Sequence, residues 1–261
     1  MKLPASARLE QIGQLIQSIG TPAFPDRLLD LAAAEISSDA ELILLYRRDR
    51  SPSVVADRLV EAERPVLYGD YLSGVYRLSP FYRAASRCRA PCVHRLGDVA
   101  PAGFRQSEYH RLYFSRIGVS DLIAALLPLA GQGVLHVSMS RMTGHPGFSG
   151  GDQRRLEALL PVLSSASVRH WRAEAGKPGT LASPADDKVV SNILPELTAR
   201  EAQIVEAMLS GHSPKAGARL LGISAETIRV HRKHVYAKLD VSSQAELFSL
   251  YLTRLRGGSK G

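Results

Sequence analysis

Gly222-Ile223-Ser224-Ala225-Glu226-Thr227-Ile228-Arg229-Val230-His231 decides how the last part of this 261-residue chain is read. A glycine suits the left-handed position that ends one helix, and a serine two residues on caps the next. The helix that follows is expected to run from about Ala225 to Leu239. At helical spacing Ile228, Val235 and Leu239 fall on one side, with His231 beside them, and Arg229, Val230 and Lys233 fall on the other, flanked by Arg232. Guanidinium and ammonium donors around one apolar contact are the groups that recognise guanine edges and thymine methyls in a major groove.

Working outward, Thr198 and Glu201 form a capping box ahead of a helix whose buried stripe is Ile204, Val205, Met208 and Leu209, closed by Gly211. A short helix begins at Ser213 with Pro214 in its first turn and turns Ala218 and Leu221 inward. After the long helix, Ser243 and Glu246 open a fourth, Gln244–Leu255. Leu247, Leu250 and Tyr251 suffice to pack it on its own module. Phe248, Leu252 and Leu255 form a surplus stripe at i, i+4 and i+7, for which a symmetric copy is the simplest partner, so a homodimer is expected.

Leu197-Thr-Ala-Arg-Glu201, Gly211, the Gly222–His231 stretch and Lys238-Leu-Asp-Val241 together resemble the LuxR-type (GerE or FixJ-like) helix-turn-helix. The resemblance implies an all-α tetrahelical DNA-binding domain over residues 193–257. It places Arg229, Val230 and Lys233 against bases and Thr227, Arg232 and Lys238 near phosphates, with double-stranded DNA as partner and RNA polymerase as a further one. Gly217 stands where the family has a bulky aliphatic residue, Ala216 where it has an acid, and Asp240 where a glycine is common. Gly217 costs ~1 kcal/mol relative to alanine; Asp240 is compatible with the left-handed region.

Residues 1–175 read as an α+β sensing domain, a sheet covered by helices. Ala7–Ile19 and Asp26–Ile36 have helical periodicity, and Glu41–Arg47 reads as a buried strand. Asp121–Leu129 and Gly133–Met139 read as a hairpin, the second strand burying Leu135, Val137 and Met139 while His136 and Ser138 face outward. Ser149 and Asp152 open a long helix with a Leu156, Leu159, Leu160, Leu163 stripe and a kink at Pro161. Tyr76–Tyr82, Gly118–Asp121 and Phe148–Asp152 give this region a more distant resemblance to autoinducer-binding or GAF-like domains. That resemblance implies a small organic ligand; Tyr71, Tyr76, Phe81 and Tyr82, near one helix and loop and with hydroxyls to orient a ligand, are candidate contacts. Ser79 precedes Pro80 where the autoinducer-binding family has aspartate, and Trp171 is the sole tryptophan, so an acyl-homoserine lactone held in the usual way is not expected.

Residues 176–192 have the Pro/Gly/Ser composition of a linker. The chain carries a net charge of +8. Residues 197–261 hold ten basic and five acidic residues, more than half of that excess, as expected of a nucleic-acid module. No apolar run reaches the ~18–20 residues of a membrane helix, and the two cysteines exclude a disulfide framework, so a cytoplasmic location is expected. Cys88 and Cys92, separated by three residues that include Pro91, read as ordinary unpaired thiols. No metal site, cofactor or catalytic set is expected. Two alternatives remain open at this point. The chain could be a ligand-independent dimer or a sequestering partner of another regulator, or its N-terminal domain could be enzymatic.

Overall fold

The computed structural model describes residues 4–47, 51–175 and 189–257. Residues 176–188, most of the expected linker, lie outside that set. The chain divides into two compact units, but not at a single point in the sequence. One contains Met1–Glu63, Arg83–Val99 and Val119–Ala185; the other contains Arg64–Tyr82, Ala100–Gly118 and Asp186–Gly261.

The first unit is an α+β layer structure. Helices α1 (Ala5–Gln17), α2 (Phe24–Glu35) and α7 (Gly150–Ala175) cover one face of a five-stranded antiparallel sheet. Its strands are β1 (Ala40–Tyr46), β2 (Ser53–Arg58), β3 (Cys92–Arg95), β4 (Val119–Leu129) and β5 (Gly133–Met142), in the order β2-β1-β5-β4-β3. A one-turn helix, α5 (Leu96–Val99), follows β3. The β4–β5 hairpin forms as expected, pairing Leu129 with Gly133. Gly133 has φ +120°, and a Cβ there would lie 2.1 Å from the Tyr46 carbonyl oxygen, so this position needs glycine on two counts.

The core between sheet and helices takes Ile43 and Leu45 from β1, Leu135, Val137 and Met139 from β5, and Leu156, Leu159 and Leu163 from α7. Trp171 belongs to this core, edge-on to Phe24 at 5.8 Å. Ser149 and Asp152 cap α7 reciprocally: the Ser149 N–H donates to Asp152 Oδ2 at 2.7 Å, and the Asp152 N–H to Ser149 Oγ at 3.2 Å. The helix continues unbroken through Pro161.

The expectation that His136 and Ser138 face outward is corrected: both are buried, His136 at 3 % exposure. The sheet's second face is closed as well, and two serines there bond to carbonyls of the neighbouring strand. Ser138 Oγ donates to the Leu42 carbonyl at 3.2 Å and Ser140 Oγ to the Ala40 carbonyl at 3.4 Å. The short strands β2 and β3, at the two edges of the sheet, were not visible in the sequence pattern.

The second unit holds the expected C-terminal helices, α9 (Ala199–Leu209), α10 (Pro214–Leu221), α11 (Ala225–Leu239) and α12 (Gln244–Gly257). It also holds α8 (Val189–Ile193), which starts inside the stretch 176–192 whose composition suggests a linker. Val190 and Leu194 are buried, and α8 packs on α9 and α12. From earlier in the chain it takes α3 (Arg64–Val66), which runs into a π-helical turn Leu67–Tyr71, and the start of α4 (Pro80–Arg87). It also takes α6 (Glu108–Tyr113). Phe104, Tyr109 and Phe114 make an aromatic cluster around α6, with ring centroids 5.3–6.2 Å apart.

Candidate nucleic-acid interface

Thr198 caps α9 with its hydroxyl accepting from the Glu201 N–H at 3.3 Å, while the Glu201 carboxylate accepts from the Thr198 N–H at 2.9 Å. The same carboxylate accepts from Lys238 Nζ at 2.7 Å. One buried acid thus ties the start of α9 to the last turn of α11. Burial opposes ionisation of Glu201, but the bonds from Lys238 and Thr198 outweigh it and hold the carboxyl down at about 2.

Ser213 caps α10 through the Ala216 N–H, and Gly222 ends it at φ +65°, ψ +36°. Arg200 Nη2 donates to the Leu221 carbonyl at 2.8 Å, holding the last turn of α10 against α9. Ser224 then accepts from the Thr227 N–H at 2.9 Å to start α11, and Asp240 ends it in the left-handed region at φ 51°. Caps on both sides fix the angle at which α11 leaves the turn.

In α11 Ile228, Val235 and Leu239 are buried, and Arg229, Val230 and Lys233 are exposed, Val230 at 47 %. Arg229 Nη1 rests on Glu226 Oε2 at 2.6 Å, both side chains largely in solvent. Such an exposed pair is weak and readily exchanged. The Arg232 guanidinium lies over the Tyr236 ring, 5.1 Å from its centroid. The Thr227 hydroxyl is 2.8 Å from that of Ser224. Lys238, expected beside phosphate, has its ammonium on Glu201. Helix α10 adds two exposed cations that the sequence reading did not single out, Lys215 and Arg219. Their only signal was a positive charge on the helix preceding the turn.

The second face of α12 is occupied. Phe248 is 1 % and Leu252 8 % exposed, and Leu255 lies against Gly74, where an added Cβ would meet its Cδ1 at 2.6 Å. The surplus stripe therefore does have a partner, but within the same unit it is this chain's own earlier segment. The local sequence could show that the stripe needed covering; it could not show by what.

The four candidate ligand contacts are packed as core. Tyr76 and Phe81 are buried and Tyr71 and Tyr82 half-buried, with Tyr76 and Tyr82 edge-to-face at 4.9 Å. A cleft of about 540 Å³ lies elsewhere, in the first unit, lined by Glu35, Ser37, Ser38, Glu41, Arg141 and Arg155 among others, and by none of these aromatics. Glu35 is paired with Arg8, and Arg155 with Asp152. Arg141 packs over the Phe148 ring at 5.0 Å. Among the described residues no group of His, Cys, Asp and Glu is placed to hold a metal, and no helix is long and apolar enough to cross a membrane.

The model of the family of bacterial regulatory proteins, luxR family (GerE), matches residues 195–251. The C-terminal module is a luxR-family helix-turn-helix domain. The match begins within the Leu194–Leu197 turn and ends in α12, so the luxR-family helices are α9–α12. Over 185 residues the chain is 29 % identical to the "Putative HTH-type transcriptional regulator in exeN 3'region" of Aeromonas salmonicida, covering 67 % of this chain and 94 % of that protein. It is 40 % identical over 60 residues to the transcriptional regulatory protein UhpA of Escherichia coli, a stretch that is 23 % of this chain and 31 % of UhpA. The LBD domain of VqsR from Pseudomonas aeruginosa has a similar fold. Its TM-score is 0.54 at 23 % identity, covering 64 % of this chain and 98 % of that one.

Proposed function

We propose that this chain is a sequence-specific regulator of transcription that binds double-stranded DNA through α11 and whose N-terminal residues respond to a small molecule. The observation that carries the reading is the division of α11, with Ile228, Val235 and Leu239 inward and Arg229, Val230 and Lys233 outward, on a helix capped at both ends. Arg229 and Lys233, one turn apart, reach base edges in one major groove, and Val230 supplies an apolar contact for a thymine methyl. Thr227 and Arg232 lie beside the backbone, and Lys238 joins them by exchanging Glu201 for phosphate. RNA polymerase is a partner on promoter DNA.

The protein acts on DNA as a homodimer in this reading. Pairing through Phe248, Leu252 and Leu255 requires that their present cover be displaced, which gives the N-terminal residues a means of control. The first-unit cleft, large enough for a metabolite, replaces the tyrosines as the place for a ligand. The relatives' names, all regulators of transcription, support this reading over an enzymatic one.

Fluorescence anisotropy with genomic fragments tests it. Arg229→Ala and Lys233→Ala are each expected to cost ~1–3 kcal/mol and to relax preference at particular base pairs, whereas Arg232→Ala weakens all sequences alike. Unchanged affinity in both of the first two variants removes α11 as the reading helix.

A further inference from the structure

In the first unit the end of α4 and the start of β3 bring two thiols together. Cys88 Sγ lies 3.6 Å from Cys92 Sγ, and Cys92 Sγ lies 3.5 Å from His94 Nε2. The three loop residues between them, Arg89, Ala90 and Pro91, are exposed, and both cysteines are half-buried beneath that loop. The two sulfurs are unbonded. The luxR-family reading leaves this cluster without a use.

We propose that Cys92 and Cys88 form a peroxide-reactive dithiol, with Cys92 the sulfur oxidised first, Cys88 the sulfur that resolves it and His94 the base. The assignment of roles follows from the contacts. Cys92 has an imidazole nitrogen within reach of its proton, and a thiolate is the nucleophilic form. The Cys88 thiol instead donates to the Ala90 carbonyl at 3.1 Å, and burial together with neighbouring Cys92 pushes it up to about 12, so it keeps its proton.

The co-reactant is hydrogen peroxide. The Cys92 proton passes to His94, and the Cys92 sulfur attacks one peroxide oxygen. An S–O bond forms, the O–O bond breaks, and the departing hydroxide takes the proton back from His94 as water. Cys92 is now a sulfenic acid. The Cys88 sulfur attacks Cys92 Sγ, an S–S bond forms, the S–O bond breaks, and hydroxide leaves as a second water with the Cys88 proton. In sum two thiols are oxidised to a disulfide and one peroxide is reduced to two waters. Closing the sulfurs from 3.6 Å to the ~2.05 Å of a disulfide is a small movement for a short exposed loop.

The test uses the full chain. After one equivalent of peroxide, free-thiol titration is expected to fall from two thiols to none and to recover with dithiothreitol. Trypsin is expected to release the dipeptide Cys88-Arg89 joined to Ala90–Arg95. In Cys88→Ser the sulfenic acid persists and dimedone labels Cys92; in Cys92→Ser dimedone labelling is lost. His94→Asn slows oxidation of Cys92 by roughly tenfold or more while leaving the final disulfide intact. Thiols that survive peroxide sufficient to oxidise glutathione in the same tube overturn the proposal. So does a bond formed only between chains, or dimedone labelling of Cys88 in place of Cys92. An unchanged rate in His94→Asn overturns the role of the base.

Discussion

Arg256 clasps Asp70 with two parallel hydrogen bonds, Nε to Oδ1 at 2.7 Å and Nη2 to Oδ2 at 2.6 Å, across 186 residues of sequence. The pair joins the last turn of α12 to the π-helical turn near the start of the same unit. Both side chains are partly in solvent, so the fork adds ~1 kcal/mol at most to global stability. Its effect is local. Asp70→Asn is expected to leave the unfolding midpoint nearly unchanged while amide exchange accelerates in residues 251–257 and not in α9. Equal protection of α12 in variant and parent would show that the apolar contacts alone hold it.

Gly217 sits inside α10, and the space beside it is open enough for a methyl group. An added Cβ would lie 3.8 Å from Ala207 Cβ and 3.9 Å from Ile228 Cδ1, ordinary contact distances. Gly217→Ala therefore gains helix propensity without a clash and is expected to stabilise the luxR-family module by ~1 kcal/mol in urea unfolding. DNA affinity should not change, because the substitution is on the inward side of α10. A loss of stability would mean that α10 packs more closely than these distances indicate.

Glu201 predicts an acid limit for the same module. Its folded carboxyl is held down at about 2 and that of the unfolded chain titrates near 4.5. The stabilisation is complete above the unfolded value and is lost as pH falls from about 4.5 toward 2. Glu201→Gln removes the charge that Lys238 and the Thr198 N–H share. It should cost on the order of 1–3 kcal/mol at neutral pH and make stability less dependent on pH below 4.5. Denaturation series at stepped pH values measure both.

His136 acts at milder acidity and in the first unit. Burial holds its imidazole down at about 3, against 6.5 in an unfolded chain. The folded protein keeps it neutral where the unfolded chain takes up a proton. Stability therefore falls as pH drops below 6.5, by up to ~1.4 kcal/mol per pH unit, until the folded value is reached. His136→Leu should flatten that slope whatever it does to stability at neutral pH. A slope unchanged by the substitution would assign the proton uptake to another group.

What the sequence disclosed and what it withheld divide along the range of the interactions. The caps Thr198 (with Glu201), Ser213 (with Ala216), Ser224 (with Thr227) and Ser149 (with Asp152) each bond a residue three positions on, so their chemistry is written locally, and all are present. In α12 the cap is partly displaced: the Glu246 N–H donates to Ser243 as read, but its carboxylate reaches Ser242. The apolar face of α11 and the β4–β5 hairpin were legible for the same local reason. Strands β2 and β3 are short, and apart from Val93 their residues are half-buried at the sheet edges, so they lack the period that marks a strand. No local pattern reports that residues 64–82 and 100–118 belong with α9–α12, because that grouping is made by contacts such as Gly103 against the Gly211 carbonyl. Tyr71, Tyr76, Phe81 and Tyr82 suggest a ligand site by their type and their closeness in sequence, and the same aromatic surface serves as well to fill a core.

The strand order β2-β1-β5-β4-β3 bears on how the chain is made. The partner of β1 in the middle of the sheet is β5, and the Ser140 hydroxyl that reaches the Ala40 carbonyl is 100 residues later in the chain. At ~5–20 residues per second on the ribosome, the Ile43-Leu44-Leu45 segment waits roughly 5–20 seconds for that neighbour to be synthesised. During that interval β1 can pair only with β2, in a two-stranded ribbon that is marginal in water. An unpaired edge of β1 is then open to aggregation, well before α11 exists. When β4 and β5 do emerge, they close as a hairpin and offer β1 an edge already in register.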